Sequence, residues 1–341
     1  MKPLFHPHFV NGPFEDPVLY IEFLFERRAL LFDLGELYAL PPRKILAVSH
    51  IFVSHTHMDH FAGFDHVLRI CVGRGKRLHL YGPPRFIEQV EHKLAAYTWN
   101  LVQNYQEEFV VAVTEVHPGG RALSAEFPCR RAFSREHLTE HALSDGVLLD
   151  EPSFRVRTVL LDHKIPCLAF TLEEKRHVNV WKNRLQEWGL PTGPWLRELK
   201  DAVAQDLPDD TEFRTWWRAD GTLHERCFPL GVLKENVLRI VPGQKITYVT
   251  DVAWHEENAR KIVEFARGSD LLFIESPFLQ EDAARALDKA HLTAQQAGLL
   301  ARQAGVKRLI PFHFSQKYAD APQRLREEAE RAFLHGTSEA E

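Results

Sequence analysis

The chain has no C-x-x-C pair; its four cysteines, Cys71, Cys129, Cys167 and Cys227, stand far apart. That spacing argues against a zinc knuckle and suggests no disulfide framework. Free thiols fit a reducing compartment such as the cytoplasm. No stretch approaches the ~18 apolar residues of a membrane span. The beginning, Met1-Lys2-Pro3-Leu4-Phe5-His6-Pro7, has no long apolar leader segment. A soluble, cytoplasmic protein with no membrane partner is therefore expected. Positive charge is not in excess either, with 42 Lys and Arg against 47 Asp and Glu for a net charge of −5. Nucleic acid would have to be held by a local basic surface, not by a global field. There is no internal repeat and no low-complexity tract. What is present is an ordinary globular composition, 45% hydrophobic and 26% charged over 341 residues, enough for one large or two ordinary domains.

Apolar runs and turn residues predict strands at Val18–Phe25, Ala29–Phe32, Ile51–Ser54, Arg77–Leu80, Phe154–Leu161 and Ile165–Leu172. Helical spacing predicts a helix that begins near His60 and covers Ala62–Val72, and another over Arg85–Tyr97. Between 85 and 150 the pattern is otherwise hard to read. From about 173 to 235 Trp, Pro, Asp and Arg are frequent and periodicity is weak, which reads as an insertion with helical pieces at Val180–Trp188 and Trp195–Val203. Alternation then returns: a hairpin of Val237–Ile240 and Lys245–Val249, a helix at Glu257–Arg267, a strand at Leu271–Ile274, a helix at Thr293–Ala304 and a strand at Lys307–Phe312. Mixed strands and helices suggest two packed sheets with helices outside.

His55-Thr56-His57-Met58-Asp59-His60 places three imidazoles and a carboxylate within six residues, directly after a buried strand. An H-x-H-x-D-H loop can turn His55 and His57 to one point and Asp59 and His60 to another, a geometry for two cations. This mixture of nitrogen and oxygen suits Zn²⁺ first, with Mn²⁺ or Fe²⁺ as alternatives. Asp251, His163 and His313 each follow a predicted buried strand, and strand ends along one sheet edge can converge on one cleft.

With these motifs the chain resembles the metallo-β-lactamase superfamily, and within it the ribonuclease Z (tRNA 3′-processing endonuclease) branch. The branch is carried by Leu161-Asp162-His163-Lys164-Ile165-Pro166, Gly189-Leu190-Pro191-Thr192-Gly193-Pro194, His291-Leu292-Thr293-Ala294 and His313-Phe314-Ser315-Gln316-Lys317-Tyr318, in consistent order from about residue 18 to 320. Departures include Thr250-Asp251-Val252 for the usual Gly-Asp-Thr and Lys317 for the usual arginine. The resemblance implies an α/β fold, a four-layer αββα sandwich forming a single hydrolase domain over 1–341, with an inserted arm at about 173–235.

The resemblance also implies two divalent metal ions, one held by His55, His57 and His163 and the other by Asp59, His60 and His313, with Asp251 bridging. It implies a hydrolase that cleaves an RNA phosphodiester with precursor tRNA as partner, and a homodimer. Asp59 is the candidate to orient and deprotonate the attacking water. His291, just ahead of a helix start, is the candidate general acid, with Glu275 setting its tautomer. The alternative reading is a hydrolase of the same fold acting on a small phosphodiester, ester or lactone; a scaffold protein without catalysis is a third. Ser315, Lys317 and Tyr318 either contact phosphate or close the strand end. His137 and His141 have the spacing of a helical metal pair but no third ligand nearby. The tryptophans of the insertion form a small core or a stacking surface.

Overall fold

A computed structural model describes residues 4–24 and 26–336; Phe25 and Met1–Pro3, which belong to the expected first strand and the N-terminal segment, lie outside the described residues. The chain divides into two compact units. The larger takes in Phe5–Leu148, Arg157–Thr171 and the chain from Lys245 onward, and the smaller is built chiefly from Leu149–Val156 and Leu172–Gln244.

In the larger unit one sheet runs, in order, through Phe5–Phe9, Leu19–Phe23, Ala29–Phe32, Val48–Phe52, Lys76–Gly82, Phe109–Val116, Arg121–Pro128 and Glu136–Ala142. The four from Ala29–Phe32 to Phe109–Val116 are parallel neighbours. A second sheet contains, in order, Leu309–Phe312, Leu271–Glu275, Lys245–Val249, Pro166–Glu174 and Phe154–Asp162, and its first three strands are parallel. Parallel strands are covered on both faces, so they are apolar throughout: Ala29 and Leu31 face one buried cluster while Phe32 stacks on Phe170 and Tyr248 of the second sheet. Phe9 likewise packs against Phe273 and Phe312.

Helices cover the outer faces. In Phe64–Cys71 the buried residues Phe64, Val67, Leu68 and Cys71 have i, i+3, i+4, i+7 spacing and pack on the first sheet. Glu256–Ala266, Ala294–Gln303 and Pro322–His335 pack on the second. The order is helix, sheet, sheet, helix, the expected four-layer αββα sandwich. Ala294–Gln303 begins with a capping box, in which the Thr293 side chain accepts from Gln296 N and the Gln296 side chain from Thr293 N.

Three local expectations are corrected. The helix expected over Ala62–Val72 is two, Met58–Phe61 and Phe64–Cys71, broken at Gly63. Val237–Ile240 and Lys245–Val249 form no hairpin: Leu238–Pro242 pairs with Arg176–Val180, and Lys245–Val249 pairs in parallel with Leu271–Glu275. The stretch from 106 to 150 contains four strands, Phe109–Val116, Arg121–Pro128, Glu136–Ala142 and Val147–Asp150, and His137 and His141 lie in the third. The extended rise of about 3.4 Å per residue separates them too far for the helical pairing their spacing suggested.

The smaller unit has its own core, in which Trp195 is fully buried among Leu185, Leu199, Val203, Leu230 and Leu233, with Trp188, Trp216 and Trp217 packed against it. It contains helices Lys182–Glu187, Trp195–Ala204 and Leu230–Val237 and the hairpin Glu212–Ala219/Thr222–Pro229.

Candidate metal centre

Parallel strands put their C-terminal ends on one sheet edge, where open α/β sheets place their ligands. Ala29–Phe32 exits into Asp33 and Val48–Phe52 into the loop Val53–His57. In the second sheet Lys245–Val249 exits into Asp251, Leu271–Glu275 ends on Glu275 and Leu309–Phe312 exits into His313. His163 sits in the turn between Phe154–Asp162 and Pro166–Glu174, where its N–H donates to Ile165 O at 2.9 Å. Asp33, Lys164, Asp251, Ala290 and His313 all have positive φ, between 43° and 60°. A non-glycine residue in that region is strained, and such residues cluster at functional sites.

The structure brings every expected ligand to one place. His55, His57, His163 and Asp251 form one group, and Asp59, His60 and His313 another; within each the donor atoms lie within 4.8 Å of one another. Asp251 faces both. Its Oδ2 is 3.5 Å from His55 Nε2 and 3.4 Å from His163 Nε2, while its Oδ1 is 3.5 Å from His60 Nε2 and 3.1 Å from His313 Nδ1. Asp59 Oδ2 lies 3.4 Å from both His60 Nε2 and His313 Nε2. His55 Nε2, His60 Nε2 and His313 Nδ1 are buried and make no hydrogen bond. Buried polar atoms are normally satisfied, so three such nitrogens converging on carboxylate oxygens fit divalent cations.

The far sides of the rings are fixed. His60 Nδ1 bonds Asp33 Oδ2 at 2.9 Å, His163 Nδ1 bonds Ala290 O at 2.8 Å, and His55 Nδ1 lies 3.1 Å from Ser54 Oγ. Holding Nδ1 in this way leaves Nε2 aimed inward. Asp33 is fully buried and also accepts from Ser54 N, Ser54 Oγ and Tyr248 Oη. The sequence reading missed its part in the site. It ends a buried strand just as Asp251 and His313 nearly do, and that was the signal available.

Electrostatics follow from burial and from the carboxylates. Burial, with His60 nearby, drives the His55 pKa down to about 2, which keeps its ring neutral, the form that binds a metal. Burial opposes charge on His60 and His313 as well, yet Asp251 and the other facing carboxylates outweigh it and raise both well above the ordinary range. That negative field is the one a divalent cation would occupy. Asp59 is held well below the usual carboxylate range: burial pushes it up, but His313 and His60 more than offset this.

His291 stands beside this cluster. Its Nδ1 is 2.7 Å from Glu275 Oε2. Glu275 is fully buried, and its Oε1 accepts from Val252 N at 3.0 Å and Leu292 N at 3.1 Å. One carboxylate therefore ties the residue after Asp251 to the residue after His291. Burial lowers the His291 pKa, but Glu275 outweighs it and the net shift is upward. His57, Asp59, His163, Asp251, His291 and His313 line one cavity of about 510 Å³, together with Phe278, Asp288, Lys289 and Ser315.

Two other candidates fall outside this cavity. Lys317 Nζ is 2.5 Å from Asp282 Oδ2, and Tyr318 Oη bonds the same oxygen, so both close the strand end; Ser315 alone of the three lines the cavity.

Residues 29–147 and 226–314 match the model of the beta-lactamase superfamily domain. A ribonuclease Z of Deinococcus radiodurans is 32% identical over 297 residues, 86% of this chain and 84% of that protein. The chain belongs to the metallo-β-lactamase superfamily, in its ribonuclease Z branch. Among solved structures, the metallo-beta-lactamase fold protein YhfI from Bacillus subtilis superposes with a TM-score of 0.55 at 16% identity, covering 98% of this chain and 94% of that one. Human tRNase Z, short form, gives 0.51 at 17%, covering 92% and 93%. These two agree with the four-layer fold. The chain is a metal-dependent hydrolase of this branch, and no helix among the described residues is long and apolar enough to cross a membrane.

Proposed function

We propose that this protein hydrolyses an RNA phosphodiester, in the manner of the ribonuclease Z enzymes it resembles, with precursor tRNA as substrate. The observation that carries the reading is the bifacial placement of Asp251 between two histidine sets, with the Glu275–His291 pair on the same cavity. His55, His57 and His163 would hold one cation and Asp59, His60 and His313 the other, with Asp251 shared. Zn²⁺ suits this ligand mix first, with Mn²⁺ or Fe²⁺ as alternatives. When bound, such a pair supplies Lewis acidity toward water and phosphoryl oxygen.

The chain's own groups then divide the proton work. Asp59, held ionised and partly exposed at the cavity wall, accepts the proton of the attacking water. His291 carries the opposite duty. Glu275 holds its Nδ1 and favours the protonated ring, whose Nε2 proton then serves the departing ribose oxygen. Glu275 touches no substrate; it is a positioning residue.

The smaller unit, with the expected 173–235 segment inside it, is the proposed arm. Its basic residues favour the alternative of a small phosphodiester, ester or lactone substrate, because many are already paired: Lys175 with Asp150, Arg176 with Asp206 and Lys234 with Asp209. Incubation with precursor tRNA and with bis-p-nitrophenyl phosphate decides between them. Cleavage of both supports the ribonuclease reading; cleavage of the small ester alone contradicts it.

A further inference from the structure

The cavity that holds the proposed metal ligands is lined by carboxylates, imidazoles, apolar side chains and Ser315, with one further cation. Lys289 is the single permanent cation among the lining residues. It is exposed, and its ammonium has no ion pair or hydrogen bond with the described residues. Neighbouring lysines are committed elsewhere: Lys164 Nζ donates to Asp288 O at 2.5 Å and Lys317 Nζ to Asp282.

Lys289 also sits on a fixed turn. Its N–H donates to Arg285 O at 3.1 Å, the Ala290 N–H to Leu287 O at 3.1 Å and the His291 N–H to Ala286 O at 2.9 Å, closing the end of helix Ala283–Asp288. The next carbonyl, Ala290 O, anchors His163, and two residues on, His291 is anchored by Glu275. The backbone carrying Lys289 is therefore held from both sides by residues that face the reacting centre. One turn earlier, Arg285 lies over the Phe278 ring, 5.8 Å from its centroid, and Phe278 lines the same cavity. Arg285 and Lys289 are four residues apart, one inside this short helix and the other at its C-cap, so a second exposed cation stands beside the cavity wall. Asp288 is the opposing charge on this wall.

We propose that Lys289 is a specificity-determining residue that grips the phosphate next to the scissile one on the leaving-group side, favouring a polynucleotide over an isolated diester. The side follows from His291, which donates to the leaving oxygen and lies two residues away. A Lys ammonium is a point charge suited to a phosphate oxygen. The inference rests on the phosphodiesterase reading but concerns binding, so it is tested without turnover.

The test is fluorescence anisotropy of a labelled single-stranded oligoribonucleotide on metal-loaded protein carrying His291→Ala to slow cleavage, across a salt series. Adding Lys289→Ala is expected to weaken binding about tenfold and to make the slope of log affinity against log salt shallower by about 0.7, the loss of one phosphate contact. Lys289→Arg keeps the charge and should retain both. Equal affinities and slopes with and without Lys289→Ala overturn the assignment and leave the ribonuclease reading standing. A parent protein without salt-dependent binding overturns it too, while cleavage of precursor tRNA judges the reading separately.

Discussion

His60 Nδ1 lies 2.9 Å from Asp33 Oδ2, in a site where both side chains are fully buried. The bond fixes which ring nitrogen His60 presents to Asp59 and Asp251, and Tyr248 Oη and Ser54 fix Asp33 in turn. Partners of this kind orient metal-binding imidazoles, and their loss typically weakens metal affinity by about 10–100-fold. Asp33→Asn should therefore hold its metal that much more weakly in competition with a chelator, while His291, far from Asp33 in the network, keeps its partner. Unchanged affinity would show that Asp33 is only a core hydrogen-bond acceptor.

The Glu275–His291 pair makes a kinetic prediction. His291→Ala should lower turnover by roughly 10²–10⁴-fold while metal content stays. Glu275 raises the His291 pKa, and a general acid is lost as pH rises through its pKa. Glu275→Gln should therefore move the basic limb of the rate profile to lower pH. A profile that only drops in height would mean that Glu275 acts through folding alone.

Gly63 separates the two helices after the histidine cluster at a point where the chain has no room for a side chain. A Cβ on Gly63 would lie 2.2 Å from Gly35 O, and the two segments are tied by Leu34 N to His60 O and Gly63 N to Leu34 O, both 2.8 Å. The nearest atom, Gly35 O, is backbone and cannot swing aside. Gly63→Ala should cost about 1–3 kcal/mol of stability, read as a lower midpoint in denaturant, with the loss falling on the loop that carries Asp59 and His60.

His50 predicts an acid limit on stability. Burial, then His79 and Arg28, lower its pKa to about 3; it stacks on His79 with centroids 4.7 Å apart. Because the unfolded chain takes up this proton near 6.5 and the folded one near 3, the contribution is intact above pH 6.5 and shrinks as pH falls toward 3. At pH 5 the loss is about 2 kcal/mol. His50→Leu should flatten the dependence of unfolding free energy on pH between 5 and 7; an unchanged slope would assign it to other groups.

How much of this was legible in the sequence depended on how local each signal was. The H-x-H-x-D-H loop and the ends of apolar strands announced His55–His60, His163, Asp251 and His313, because a polar metal-binding type at the exit of a buried run is conspicuous. Asp33 has the same signature but lies outside the motifs that carried the resemblance, so it passed as a strand end. The strand Phe109–Val116 alternates buried and partly exposed residues, yet Val110 and Ala112 on its partly exposed face are themselves apolar, so the alternation does not show in residue type. The pairing of Lys245–Val249 was misread because a Pro-Gly turn suggests a hairpin locally, whereas partners in parallel sheets come from far along the chain. Lys289 was invisible because an exposed lysine has no pattern until a cavity wall is built around it.

The most direct test of the whole account is the metal content of the purified protein after exchange and removal of loose ions. About two divalent ions per chain are expected, with His163→Ala and His313→Ala each losing one and activity on any phosphodiester disappearing on chelation. One ion per chain or none, in protein that is folded and active, would contradict it.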